Sequence, residues 1–215
     1  YHESNGRLLF GSEIKSLLVC PWVKREVAVE QLGDYLLFGY VRAPGTLYQG
    51  ILQLPPDSYL TVEDGTVRGP IRYWTLRRAD APDVQALPAH EAAQRVRELL
   101  THAVEARLIS DVPLGALLSG GLDSTIVVGI MSRLCRSRVR TFTVGFTDNA
   151  SYDERRFASI AARAFGTDHT EFVVRTDAIS HVRRLLWHHD QPYGASSAIP
   201  TYLVSKMTRN HVTVA

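Results

Sequence analysis

Pro113-Leu-Gly-Ala-Leu-Leu-Ser-Gly-Gly-Leu-Asp-Ser-Thr-Ile-Val-Val-Gly-Ile-Met131 decides the fold. Leu114–Leu118 is a continuous apolar run bounded by a proline and by two glycines, which reads as a short strand buried on both faces. The stretch after it carries Val127, Ile130, Met131 and Leu134 at helical spacing, so a strand passes through Ser119-Gly-Gly-Leu-Asp-Ser124 into a helix. Working outward, Val139–Phe146 and Phe172–Val174 read as further strands, and Val212–Val214 opens one more. Between them Phe157, Ile160, Ala161, Ala164 and Phe165 mark one helix, and Ile179, Val182, Leu185 and Leu186 mark another over 177–189. Upstream, Val96, Leu99, Leu100, Ala103, Val104 and Leu108 put one apolar stripe on a helix of about five turns, which Pro113 is expected to end. Apolar strands alternating with helices predict an α/β fold, a doubly wound parallel sheet. In such sheets ligands bind beyond the C-terminal strand ends, which puts the chemistry at 119–124.

Toward the N-terminus the character changes. Arg77-Arg-Ala-Asp-Ala-Pro-Asp83 interrupts the apolar pattern, so a boundary is expected there, with one domain over 1–80 and another over 84–215. Within the first, Arg7–Glu13 reads as a strand and Val29–Tyr40 as a helix with Leu32, Tyr35, Leu36 and Gly39 on one side. Ser58–Val62 and Thr66–Arg68 flank Asp64-Gly65, a dipeptide that favours a tight hairpin. The part looks like half of a sandwich lacking partner strands, whose open edge would invite aggregation.

Composition narrows the function classes. A hydrophobic share of 45% with 21% charged residues is that of a globular protein, which argues against a disordered chain. The net charge is +2 and the arginines are scattered among acids, so no stripe for nucleic acid forms. The apolar runs fall short of the ~18 residues a membrane helix needs, and no charged-then-apolar signal opens the chain, so a cytoplasmic location is expected. Cys20 and Cys135 sit far apart among apolar neighbours and read as buried structural thiols. His188-His189-Asp190 has no partner at zinc spacing, and adjacent helical residues point about 100° apart, so it reads as no metal site. His169 reads as a strand residue rather than a base.

The loop carries the chemistry. Gly120 and Gly121 allow positive φ and leave room for a phosphate against the backbone. The helix N-terminus behind them offers unpaired N–H groups and partial positive charge, and the Ser119 and Ser124 hydroxyls add hydrogen bonds. No Gly-Lys-Ser/Thr follows and no Gly-x-Gly-x-x-Gly occurs, so the loop is neither a Walker nor a Rossmann cradle. Asp123 would repel a bare phosphate and reads as a ligand for Mg²⁺ bridging to pyrophosphate. The plain alternative is an ordinary Gly-Gly turn in which Asp123 or Ser124 caps the helix.

These residues resemble a known family. Ser119–Ser124 is similar to the PP-loop signature of ATP pyrophosphatases, and Asp111–Ser119 before it resembles the glutamine-hydrolysing asparagine synthetases. The likeness continues through Thr141–Phe146, Tyr152-Asp-Glu154, Gly166–His169 and Ser196–Leu203, and upstream through Arg7–Leu17, Phe38-Gly-Tyr40 and Leu54-Pro-Pro56. The ordered set is far more specific than any one motif. It implies a sheet of the PP-loop (adenine nucleotide alpha hydrolase-like) type, preceded by a β-rich remnant of an N-terminal-nucleophile glutaminase domain. It implies an enzyme that adenylates the side-chain carboxylate of aspartate with ATP and Mg²⁺, then transfers ammonia, drawn from glutamine in a longer parent, to give asparagine, AMP and pyrophosphate. By resemblance Ser119, Gly120, Gly121, Asp123 and Ser124 take pyrophosphate and Mg²⁺, while Leu118 and Val144 line the adenine pocket or simply pack the core.

The departures matter as much. The family's glutaminase begins with a nucleophilic cysteine, and Tyr1 is not that residue, so the chain alone is expected not to hydrolyse glutamine. It also stops at Ala215, before a second Gly-rich loop with acidic residues and a later catalytic lysine, which suggests a partial sequence. Where relatives read Asp-Glu-Pro-Phe-Ala-Asp, the chain has Asp190-Gln-Pro-Tyr-Gly-Ala195. Gln191 and Ala195 replace two acids, which leaves Asp190 as the catalytic candidate there, or as a cap after the preceding helix. Ring-closing relatives such as β-lactam synthetases and lasso-peptide cyclases, and a non-catalytic nucleotide-binding fragment, stay open as alternatives. The expected partners are ATP, aspartate or another carboxylate, and ammonia or glutamine, with no nucleic acid or membrane and a homodimer allowed.

Overall fold

The computed structural model describes residues 1–76, 87–147, 153–174 and 178–215, without the side chains of 178–180. The linker expected at 77–83 and Tyr152 of the Tyr-Asp-Glu motif lie outside the described residues, as does residue 177 at the expected start of a helix. The chain divides into two compact units, Tyr1–Val84 with Ser180–Ser196, and Gln85–Ile179 with Ser197–Ala215. The segment 180–196, which the sequence reading placed with the second domain, packs with the first.

In the first unit, β1 (His2–Ser4) pairs antiparallel with β2 (Arg7–Leu9). The strand expected over Arg7–Glu13 ends at Leu9, because the chain bends at 12–13 into the short helix α1 (Ile14–Leu17). Leu17, Val23 and Ile51 form the core beneath, with Cys20, Trp22 and Tyr48 packed against it. A single turn over Val29–Gln31 leads into α2 (Leu32–Phe38), which Gly39 closes at φ +77°. β3 (Ser58–Glu63) and β4 (Thr66–Arg72) form the expected hairpin, and Asp64 and Gly65 both adopt the positive φ that its two-residue turn requires. Among the described residues these strands make two separate two-stranded sheets. The helix α6 (Ala178–His189) ends at Asp190, whose φ is +62°.

The second unit is a mixed α/β body on a parallel sheet ordered β5 (Gly115–Leu117), β6 (Arg140–Phe146), β7 (Asp168–Val174). Val214 bridges Leu114 in parallel, extending the β5 edge. Helices cover both faces. On one, Ala116 and Leu118 pack with Val104 of α3 (Ala89–Glu105), Val128 and Met131 of α4 (Leu122–Leu134), and Ala158, Ala161 and Ala162 of α5 (Arg155–Phe165). On the other, Phe142 and Phe172 stack 6.1 Å apart beneath Val204 of α7 (Ala198–Thr208). None of the described helices is long and apolar enough to cross a membrane.

Three expectations need correction. First, α3 ends at Glu105 rather than at Pro113, because its last turn tightens into Arg107 N–H to Val104 and Leu108 N–H to Glu105 bonds. Pro113 instead stands at the entrance of the sheet, its carbonyl accepting from Thr213 and Val214. Second, α4 buries Val128 and Gly129 rather than Val127, because the Gly129 Cα faces the Phe165 ring so closely that a Cβ would lie 2.8 Å from it. Third, α5 turns Ala158, Ala161 and Ala162 inward and leaves Phe157 and Ile160 more than half exposed. Cys20 and Cys135 are free and half-buried, each against a core cluster, rather than fully buried.

Candidate active site

The loop Ser119–Ser124 leaves the C-terminal end of β5 and enters α4. Gly120 sits at φ +80°, and a Cβ there would come within 2.5 Å of Phe157 C and Ala158 N, in the first turn of α5. The missing side chain at Gly120 is therefore what lets the loop close onto the helix backbone. Gly121 caps α4 with ordinary φ of −67° and no side chain to occupy the first-turn amides, so those donors stay available to an anion. Ser119 Oγ accepts from Gly121 N at 3.2 Å and lies 3.0 Å from Ser124 Oγ, so two hydroxyls meet across the loop. Asp123 is exposed in the first turn of α4. These features fit a phosphate chain: backbone freed of side chains, paired hydroxyls and an accessible carboxylate for a hard cation.

A second feature at the neighbouring strand end escaped the sequence reading. A Cβ on Gly145 of β6 would overlap Arg155 Nε and Cδ, so this glycine seats the guanidinium on the strand. Asp153 holds it there, with Arg155 Nε donating to Oδ1 at 2.8 Å and Nη2 to Oδ2 at 2.6 Å. The hydrogen bonds from Arg155 hold the Asp153 carboxyl below its usual range, and those to Asp153 raise Arg155. The signal was present: a glycine inside the apolar strand Thr141-Phe-Thr-Val-Gly-Phe146 marks a close approach by another group.

The remaining candidates lie elsewhere. Leu118 is 1% exposed and packs with Val104 and Val128, while Val144 is half-buried beside Phe142 on the opposite face. Their side chains therefore sit on different sides of the sheet, and the Leu118 amide is spent on Phe142 O at 2.8 Å. Asp190 belongs to the first unit, where its carboxylate accepts from Ile14 N at 2.7 Å and pairs with Lys15 Nζ at 2.9 Å. Its carboxylate meets the first amides of α1, while its left-handed backbone ends the helix it follows. Gln191 Oε1 accepts from Leu47 N at 3.0 Å in the same unit. His189 stacks on Tyr193 at 4.8 Å, and His169 stands in β7 with Nδ1 2.9 Å from Thr141 Oγ1.

The sequence comparisons bear on this geometry. Residues 95–215, which include the whole loop, match the family model described as Asparagine synthase, and residues 1–74 match that of a Glutamine amidotransferase domain. The chain belongs to the asparagine synthase family. Among its relatives, Asparagine synthetase (glutamine-hydrolysing) 1 of Bacillus subtilis is 32% identical over 216 residues, covering 100% of this chain and 33% of the relative. A second such synthetase of the same organism, numbered 3, is 30% identical over 208 residues, with 89% of this chain and 33% of the relative covered. Amidase chyE of Penicillium rubens is 30% identical over 206 residues, covering 89% of this chain and 30% of that protein. The chain thus spans 33% to 41% of the length of the first relatives it matches.

Proposed function

We propose that the chain carries the nucleotide-binding portion of an ATP-dependent amide-forming synthetase, doubly wound in the PP-loop manner over 84–215 and preceded over 1–80 by the C-terminal part of a glutaminase-like domain. The observation that carries this reading is the Ser119–Ser124 loop, closed onto α5 at Gly120 and opening α4 at the end of a parallel strand. Ser119, Gly120, Gly121 and Ser124 would hold the pyrophosphate end of ATP, and Asp123 would hold Mg²⁺. When bound, ATP supplies an adenylyl group that converts an aspartate carboxylate oxygen into a leaving group an amine can displace. The protein's part would be positioning and charge neutralisation: the first-turn amides of α4 and the Ser119 and Ser124 hydroxyls would hold the phosphate chain. Leu118 and Val144, on either face of the sheet, would shape the adenine end through backbone more than side chain.

An assay for AMP and pyrophosphate with Mg·ATP, aspartate and ammonium, run beside Asp123→Ala, tests the reading. AMP that requires aspartate and vanishes in the variant supports it. ATP binding without AMP makes this chain a nucleotide-binding portion whose turnover needs the rest of a longer protein. A second reading, the same chemistry with another acceptor, is favoured by Ala195 standing where a family acid is expected and by the relative named as an amidase. AMP formation driven by larger carboxylates or amines, and not by aspartate with ammonium, would select it.

A further inference from the structure

We infer that the second unit carries a binding site for a free α-amino acid at the N-terminal ends of β6 and β7, where Arg140 takes the carboxylate and Asp168 the ammonium group. The two residues are register partners on neighbouring parallel strands, so a guanidinium and a carboxylate leave the same side of the sheet about one strand spacing apart, ~4.8 Å. Opposite charges so placed ordinarily close on one another across the strand pair. Here they do not. Arg140 Nη1 donates instead to His211 O at 3.1 Å, and the Asp168 carboxylate makes no ion pair or hydrogen bond among the described residues. Beside the two charges stands a cavity of about 360 Å³, lined also by Phe142, Thr170, Asn210 and His211.

The walls of the cavity are held in place. Phe142 is buried and stacks on Phe172 at 6.1 Å, and the His211 ring lies tilted across both, at 5.5 and 5.7 Å. With His211 fixed, its carbonyl orients Arg140, and that bond engages one of the five N–H donors of the guanidinium. The remaining donors can take a carboxylate in a two-pronged pair. A lone anion would be set against Asp168 and a lone cation against Arg140, whereas a zwitterion satisfies both charges at once. The side chains of Thr170 and Asn210 make no hydrogen bond among the described residues, which leaves them to a polar side chain of the ligand. The volume lies at the lower end of ligand cavities and suits a free amino acid rather than a nucleotide. This site is separate from the phosphate loop. Arg140 pairs with Gly115, four residues before the loop begins at Ser119, which is about 13 Å along the strand. The cavity also lies on the face that α7 covers, with α4 and α5 on the other, so the inference does not rest on the nucleotide reading.

Amide chemical shifts of the intact, isotope-labelled chain, followed during titration with glycine, L-asparagine and L-glutamine, test the inference. Shifts are expected to gather at residues 140–142, 168–170 and 210–211 and to saturate with a dissociation constant on the order of 1 mM. Asp168→Asn and Arg140→Gln should each weaken binding by about tenfold or more. Thr170→Val should weaken L-asparagine and L-glutamine while sparing glycine, which has no side chain to bond. Acetate and methylammonium, each carrying half of the zwitterion, should bind at least about tenfold more weakly than glycine. If Arg140→Gln loosens the turn at His211, Asp168→Asn carries the comparison, because the carboxylate it replaces bonds nothing among the described residues. No shifts at concentrations well above that constant, shifts gathered instead at 119–124, acetate binding as tightly as glycine, or an affinity unchanged in Asp168→Asn would each overturn the inference.

Discussion

Replacing Gly120 with alanine puts a methyl group where α5 already stands. The added Cβ would lie 2.5 Å from Phe157 C, Phe157 Cβ and Ala158 N, and two of those atoms are helix backbone that cannot rotate aside. The residue would also hold φ at +80°, where a Cβ costs about 1–2 kcal/mol. Relieving the overlap requires the loop or the helix to move, which costs about 1–3 kcal/mol by analogy with overpacked cores. The sum, roughly 2–5 kcal/mol, corresponds to a fall of about 5–15 °C in melting temperature. Gly121→Ala is the matched control: φ is −67°, and the new Cβ would meet only Ser119 Oγ, at 3.3 Å, so the cost should stay below about 1 kcal/mol. Thermal melts followed at 222 nm compare the two, and ATP titration of each folded variant then asks whether the loop is the anion site. Equal melting temperatures would refute the seating of the loop on α5. A Gly120→Ala protein that melts early yet binds ATP with native affinity would refute the link between loop geometry and phosphate.

Val128→Ala should lower stability by roughly 2 kcal/mol in urea unfolding followed at 222 nm, whereas Val127→Ala, at a position 38% exposed, should cost under about 0.5 kcal/mol. Gly145→Ala must expel Arg155 from its seat, so in a double-mutant cycle with Arg155→Ala the second substitution should remove most of the cost of the first; additive losses would contradict the seat. Burial lowers the His169 pKa, with Glu171 and Thr141 pulling the other way, and Nε2 is buried without a hydrogen-bond partner. The unfolded chain then binds the extra proton first, so stability is lost as pH falls below the unfolded value of about 6.5, and His169→Gln should flatten the melting temperature between pH 5 and 7.

The strands of the second unit were legible from their apolar content: Leu114–Leu118 is a continuous apolar run, although Leu117 is exposed, and Val139, Phe142, Val144 and Phe146 stand among threonines in the next strand. The hairpin was legible because Asp64-Gly65 supplies the two positive-φ residues its turn requires. Helix faces were harder. Periodicity weighs hydrophobicity and not size, so it chose Phe157 and Ile160 for the inner face of α5. The alanines between the large residues do the packing, with Ala158, Ala161 and Ala162 in the core cluster. The same blindness affected α4, where Val127 and Val128 are equivalent to any pattern and only the fit of Gly129 against Phe165 separates them.

The stretch at 190–195 shows why site residues are harder to read than elements. Its departure from the family's acids looked like a change at the reacting centre, since a motif marks a position as important without saying which atoms it faces. The partners of Asp190 lie 175 and 176 residues earlier in the chain, and the partner of Gln191 lies 144 earlier, beyond the reach of any local pattern. The one local clue was Asp190 itself: an acid immediately after a helix can adopt the left-handed conformation that ends it, which turns its carboxylate away from its own helix. Here that carboxylate meets the unsatisfied amides at the start of α1. A charge in this place stabilises the helix start and the Lys15 pair at once, whereas at Gln191 and Gly194 only an acceptor and a small backbone are required. That difference in demand accounts for an aspartate kept beside a glutamine and a glycine within five residues.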